Sequence, residues 1–258
     1  MPAKPPLLLL HGVTMSAATW DEVAPLLADE FDLIVPTAAG HRGGPTLAGA
    51  ATIKQLVDVT EKLLDDRGLS RVHMAGNSMG GWMAIELARR GRARSVCALS
   101  PAGFWDRGTD DELGATNTLI HAKRLAELAK PVAPVATWLP AARKLMLRDI
   151  AEHGDRLSHA QALTIINDLV DCPAAAGLFT TPENVEPMKT LPCPITLAWS
   201  EKDRLFPPAV NGAIAQQRIP GAQYFVIPGV GHVPMIDDPN RCAEIIRAAI
   251  KAAESDSN

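Results

Sequence analysis

Six short runs along the chain are apolar at nearly every position. They cover 7–11 (LLLLH), 32–36 (DLIVP), 71–77 (RVHMAGN), 94–100 (RSVCALS), 194–199 (PITLAW) and 222–228 (AQYFVIP). Continuous apolar runs of this length suit strands buried on both faces. Helical spacing of apolar residues occupies 17–28, 52–66, 79–90, 208–217 and 239–254. Strand alternating with helix predicts an α/β fold, a mostly parallel sheet with helices on its faces. The last helix has a defined start, because Asp238 can cap it and Pro239 fits its first turn.

The alternation stops between 103 and 188. That stretch reads as helices over 111–129, 135–153 and 158–169, punctuated by Pro131, Pro134, Pro140, Pro173 and Pro182. It predicts a helical insertion, 103–188, standing over one edge of the sheet as a lid. The α/β core then comprises 1–102 and 189–258. Met15, Phe104, Trp105, Trp138 and Met146 are candidates to line an apolar substrate pocket beneath that lid.

Composition narrows the function classes. The 258 residues are 47% hydrophobic and 21% charged, a profile of folded rather than disordered chains. A formal net charge of −4 without any basic run argues against a nucleic-acid partner. No stretch approaches the roughly 18 apolar residues of a membrane span. The run at 7–10 is too short for a signal peptide and has no small-residue cleavage site after it. A cytoplasmic protein acting on a small molecule is expected. Cys97, Cys172, Cys193 and Cys242 lie far apart and form no metal-ligand pattern, so reduced structural thiols are expected. Neither a metal nor an organic cofactor is implied, and the glycines at 40–44 lack the signature of a phosphate loop.

The chemistry centres on residues 73–82, HMAGNSMGGW. With 19 glycines in the chain, random order yields G-x-S-x-G in roughly one such chain in twenty. The flanks therefore carry the argument: a strand ends at Asn77 and a helix begins near Met79. A sharp strand-to-helix turn needs Gly76 and Gly80, where a β-carbon would strike neighbouring backbone. It lifts the Ser78 hydroxyl to the carboxyl edge of the sheet, where open α/β sheets bind ligands.

A serine nucleophile needs a base. His232, in Gly229-Val230-Gly231-His232 after the sixth strand, is the candidate. The base in turn needs an acid. Asp203, after the fifth strand, is favoured, with Glu201 as the near competitor and Asp106 as the distant one. Gly12, after the first strand, would let the chain bend so that the Val13 amide joins the Met79 amide in an oxyanion hole. His11 reads as a structural hydrogen-bonding residue.

These segments resemble the α/β-hydrolase superfamily over nearly the whole chain. The resemblance lies in His11-Gly12 at the first strand end, G-N-S-M-G-G at 76–81, D-R-L-F-P at 203–207 and G-H-V-P-M at 231–235. It implies Ser78 as nucleophile, His232 as general base, Asp203 as its partner, and Val13 and Met79 as oxyanion donors, under a helical lid. Members often begin with an antiparallel hairpin. Six residues precede Leu7 here, which predicts a reduced sheet of about six parallel strands. Thr37, Ala38 and Ala39 stand where relatives carry an aspartate, which puts local packing in question rather than the triad.

The expected activity is hydrolysis of a carboxylic ester of a small or medium apolar substrate. The alternative is a carbon–carbon bond hydrolase of ring-cleavage products, whose elbow is similar. Such enzymes usually carry an aromatic residue after the histidine and a lid arginine facing the substrate. Here Val233 follows His232, and Arg124, Arg143, Arg148 and Arg156 are the lid arginines. Thioester, amide or lyase chemistry would use the same triad. A non-catalytic binding module on this fold would typically have lost a triad member.

Overall fold

The computed structural model describes residues 4–106 and 110–255. Residues 107–109, inside the expected insertion, lie outside the described part. Six strands form one sheet: β1 (Pro6–Leu10), β2 (Asp32–Ile34), β3 (Val72–Asn77), β4 (Ala93–Leu99), β5 (Ile195–Ser200) and β6 (Gln223–Ile227). Their order is β2-β1-β3-β4-β5-β6, and every pairing is parallel.

The central strands β1, β3, β4 and β5 are largely apolar because both faces are covered, while the edge strands β2 and β6 are partly exposed. Leu8 and Leu10 belong to one hydrophobic cluster, while Leu7 and Leu9 belong to the other. The same period-two split separates Val96 and Ala98 from Cys97 and Leu99 in β4. One cluster contains α2 (Ile53–Asp66) and α3 (Met79–Arg89); the other contains α1 (Ala24–Leu27) and α11 (Pro239–Ser255). Local signals start these helices. Thr52 Oγ1 accepts from the Gln55 N–H while Gln55 Oε1 accepts from the Thr52 N–H, a reciprocal cap on α2. Asp238 Oδ1 accepts from the Arg241 N–H at the start of α11.

Between β4 and β5 the described residues form α4 (Asp110–Ala129), α5 (Ala133–Ala136), α6 (Pro140–Met146), α7 (His159–Val170) and α8 (Ala175–Phe179), and no strand. After β5 come α9 (Ala213–Arg218) and, beyond β6, α10 (Pro234–Asp237).

Two expected helices are broken, each at a proline. Residues 17–28 form a 3₁₀ turn, Ala17–Trp20, and the single turn α1, because Pro25 has no N–H to continue an earlier helix. Residues 135–153 split at Pro140, which opens α6 instead. The segment 208–217 starts with a π-turn, Pro208–Gly212, before becoming α-helical.

The direction of chain progression across the sheet reverses between β1 and β3. Such a switch point leaves a crevice at the carboxyl ends of the strands. The segments that follow β1, β3, β5 and β6 all contribute to that edge.

Candidate active site

Ser78 occupies the turn from β3 into α3 with φ 54° and ψ −119°. That conformation is costly for a residue with a side chain, on the order of 1–3 kcal/mol. The neighbours leave no alternative path. A β-carbon on Gly76 would lie 2.3 Å from the Gly80 carbonyl, and one on Gly80 would lie 2.2 Å from the Leu10 oxygen. The turn is pinned by Ser78 N–H to Leu99 O (3.0 Å) and by Ala102 N–H to Ser78 O (3.1 Å). Helix α3 starts directly behind the serine, so its partial positive charge faces any anion formed there.

The loop after β1 packs against this turn. Its left-handed residue is Thr14, with φ 61°. Gly12 is not left-handed and stands at the start of the turn. The turn closes through Met15 N–H to Gly12 O, and it sets Val13 beside Ser78 and Met79 in one cavity wall. His11 anchors the loop. Its Nδ1 donates to Gly12 O (2.8 Å) and its Nε2 accepts from the Ala38 N–H (2.9 Å). Burial, with His41 nearby, lowers its pKa to about 3, so the ring stays neutral.

His232 Nδ1 donates to Asp203 Oδ2 at 2.8 Å, and both side chains are buried. The other carboxylate oxygen, Oδ1, accepts from the Leu205 and Phe206 N–H groups at 2.9 and 2.8 Å. These bonds fix the carboxylate and, through it, the ring orientation. The competing acids are engaged elsewhere: Glu201 accepts from the Gly229 N–H, and Asp106 pairs with Arg218.

Two residues that the sequence reading did not place in the site hold the histidine loop. Asn77 Nδ2 donates to Leu99 O and to His232 O. Asp237 accepts from the N–H groups of Gly231, Glu152 and His153. The loop is further held by Val233 N–H to Ile150 O. Adjacency to Ser78 was the available sign for Asn77; Asp237 gave none.

A cavity of about 390 Å³ lies before Ser78, with Val13, Met79, Trp82, Trp105, Leu119 and Phe206 in its wall. A smaller one of about 70 Å³ contains Ser78, Met15 and His232. Of the expected pocket residues, Trp105 and Met15 line these spaces. Phe104 does not: it is fully buried in the core, edge-on to Trp199. Trp138 does not either; it is 69% exposed and stacks on His159 on the outside of the insertion. Met146 lies outside both linings. Trp82, one helical turn beyond Ser78, and Phe206, against the His232 ring, were not foreseen.

No group of three or more His, Cys, Asp or Glu among the described residues could hold a metal ion. The four cysteines are buried and unpaired, and burial pushes the Cys97 thiol up to about 12. No helix among the described residues is long and apolar enough to cross a membrane.

Comparison with known proteins bears on the family and the fold. A model of the Alpha/beta hydrolase family matches residues 7–245. Epoxide hydrolase EphH of Mycobacterium tuberculosis is 34% identical over 200 residues, covering 76% of this chain and 94% of its own. Lipase 1 of Psychrobacter immobilis is 27% identical over 254 residues, covering 94% of this chain and 76% of its own. A thermophilic esterase from Thermogutta terrifontis superposes with a TM-score of 0.75 at 25% identity, covering 97% of this chain and 91% of its own. With the parallel sheet, the strand-to-helix serine turn and the family match along most of its length, the chain belongs to the α/β-hydrolase family of hydrolytic enzymes.

Proposed function

We propose that the protein is a serine hydrolase that cleaves carboxylic esters of apolar acids through an acyl-enzyme on Ser78. The observation that carries this reading is the His232–Asp203 hydrogen bond of 2.8 Å, with the His232 ring and Ser78 lining one cavity. His232 takes the Ser78 proton as Oγ attacks the carbonyl carbon. The oxyanion meets the Val13 and Met79 amides and the start of α3. His232 then protonates the leaving alcohol. Water repeats the cycle and releases the acid. Helices α4–α8 act as the lid that keeps bulk water out.

Leaving-group chemistry favours esters over epoxides. A serine oxygen that opened an epoxide would form an ether, which the His–Asp pair has no means to hydrolyse. An acyl-serine ester is readily hydrolysed. The cavity wall favours esters over ring-cleavage products. Among the described residues, no arginine or lysine lines the Ser78 cavities to meet a substrate carboxylate. Four unpaired cysteines support a reducing, cytoplasmic setting.

The test is active-site labelling with a fluorophosphonate beside hydrolysis of ethyl butanoate, an ester small on both sides. Wild type should be labelled and active. Ser78→Ala should lose both, and His232→Ala should lose esterase activity by on the order of 10⁴-fold or more. Labelling that survives Ser78→Ala would overturn the assignment.

A further inference from the structure

Two cavities meet at Ser78, and they differ in which reacting groups they contain. The larger, about 390 Å³, has Met79 in its wall and not His232. The smaller, about 70 Å³, has His232 in its wall and not Met79. Val13, Ser78, Leu119 and Phe206 belong to both and form a waist between them. A third cavity of about 200 Å³ lies behind the smaller one. Met15 and Ile165 line both of these, so their side chains form the partition.

Reaction chemistry assigns the two halves of an ester to the two cavities. When the tetrahedral adduct collapses, the bond from the carbonyl carbon to the alcohol oxygen breaks. That oxygen takes the proton that His232 received from Ser78 Oγ. The alcohol must therefore sit on the His232 side, in the small cavity. The carbonyl carbon stays bonded to Ser78 Oγ, and its chain extends away from His232, into the cavity walled by Met79 and Trp82.

Volume then sets size. The acyl side has more than five times the volume of the alcohol side, so the smaller group of the ester belongs on the alcohol side. The acyl wall is mostly apolar, with Val13, Met79, Trp82, Trp105 and Leu119; Thr116, Thr180 and Thr181 add hydroxyls but no charge to pair with a charged chain.

We infer that the enzyme selects esters joining a bulky apolar acid to a short-chain alcohol, with Met15 and Ile165 setting the upper limit on the alcohol. This inference rests on the serine esterase reading and refines it. Ile165 and Met15 are specificity-determining residues here. Neither transfers a proton.

Two isomeric esters test it directly, because they share composition and apolar surface. Ethyl decanoate places the long chain on the acid, and decyl acetate places it on the alcohol. Wild type should hydrolyse ethyl decanoate with a kcat/KM at least tenfold above that for decyl acetate. Ile165→Ala opens the partition into the outer cavity and should narrow the ratio by raising kcat/KM for decyl acetate. Ile165→Val, which removes one methyl group, should move the ratio the same way by less. Equal rates, or preference for decyl acetate in wild type, would overturn the assignment of cavities. A ratio unmoved in a folded Ile165→Ala enzyme would overturn the role of the partition. If neither isomer reacts and Ser78 is not labelled by a fluorophosphonate, the esterase reading itself fails. If Ser78 is labelled and ethyl butanoate is cleaved while ethyl decanoate is inert, only the cavity assignment fails.

Discussion

The Asn77 side chain donates to the main-chain carbonyl of His232 at 2.9 Å, across 155 positions of sequence. The residue next to the serine therefore holds the loop that carries the histidine. A second bond from the same amide, to Leu99 O at 3.0 Å, ties that loop to the end of β4. Backbone position sets where the loop presents the imidazole, and the Asp203 carboxylate orients the ring.

Asn77→Ala should lower kcat by roughly 10²-fold, the size of effect expected when a base is misplaced by about an ångström. KM should change little. Two buried carbonyls lose a donor, so stability should fall by about 1–3 kcal/mol. Asn77→Asp should be worse, because it sets an acceptor against two acceptors. Steady-state kinetics beside urea unfolding measure both effects.

Asp203→Asn keeps the shape of the acid and changes its polarity. The Leu205 and Phe206 amides still need an acceptor at Oδ1. The new NH₂ then faces His232 Nδ1 and favours the ring tautomer that cannot accept the serine proton. A loss on the order of 10⁴-fold in kcat is expected, with the thermal midpoint within a few degrees of wild type. A drop of less than tenfold would contradict the role proposed for Asp203.

Two glycine replacements should act in opposite directions. Gly80→Ala drives a β-carbon to 2.2 Å from the Leu10 carbonyl, where neither backbone can yield. Loss of folding, or destabilisation above about 3 kcal/mol, is expected. Gly114→Ala lies on exposed α4, with nothing within 4 Å of the new β-carbon. It should stabilise by about 0.5–1 kcal/mol through helix propensity. Thermal unfolding of the pair provides the check.

Acid should weaken the fold through His11. Its pKa is about 3 in the folded protein against 6.5 as the ordinary value. Between those pH values the unfolded chain binds the extra proton, so stability rises with pH across that window. The contribution is complete above about pH 6.5 and is lost as pH falls toward 3, up to about 5 kcal/mol. Burial lowers the pKa of His41 in the same direction. His11→Gln keeps an acceptor for the Ala38 N–H and removes the titration. Its urea midpoint should fall less steeply from pH 7 to pH 4 than that of wild type.

The sheet was legible in the sequence because its central strands are buried on both faces. A run such as LLLL at 7–10 has no competing reading of comparable strength. The residues around Ser78 were legible for a related reason: an elbow needs glycine where backbones collide, and composition records that need. Cavity residues left no such mark. Phe104 and Trp105 are adjacent and both aromatic, yet the first fills the core and the second lines the cavity. Periodicity reports burial, and a core wall and a cavity wall are equally buried. Helix breaks were misread where apolar spacing outweighed a proline, at Pro25 and Pro140. Asn77 and Asp237 were unreadable as anchors because their partners are backbone groups, which every residue has.

The Asp237 clasp bears on how this enzyme can diversify. One carboxylate takes hydrogens from Gly231 and from two consecutive positions of the insertion, Glu152 and His153. The insertion contributes only main-chain amides to this join. Almost any sequence can supply them, provided that neither position becomes proline. Chimaeras that exchange the insertion between relatives can therefore keep the histidine loop in place, so long as the acceptor at 237 stays with the recipient. Sequence change at 152 and 153 is therefore compatible with a fixed histidine loop.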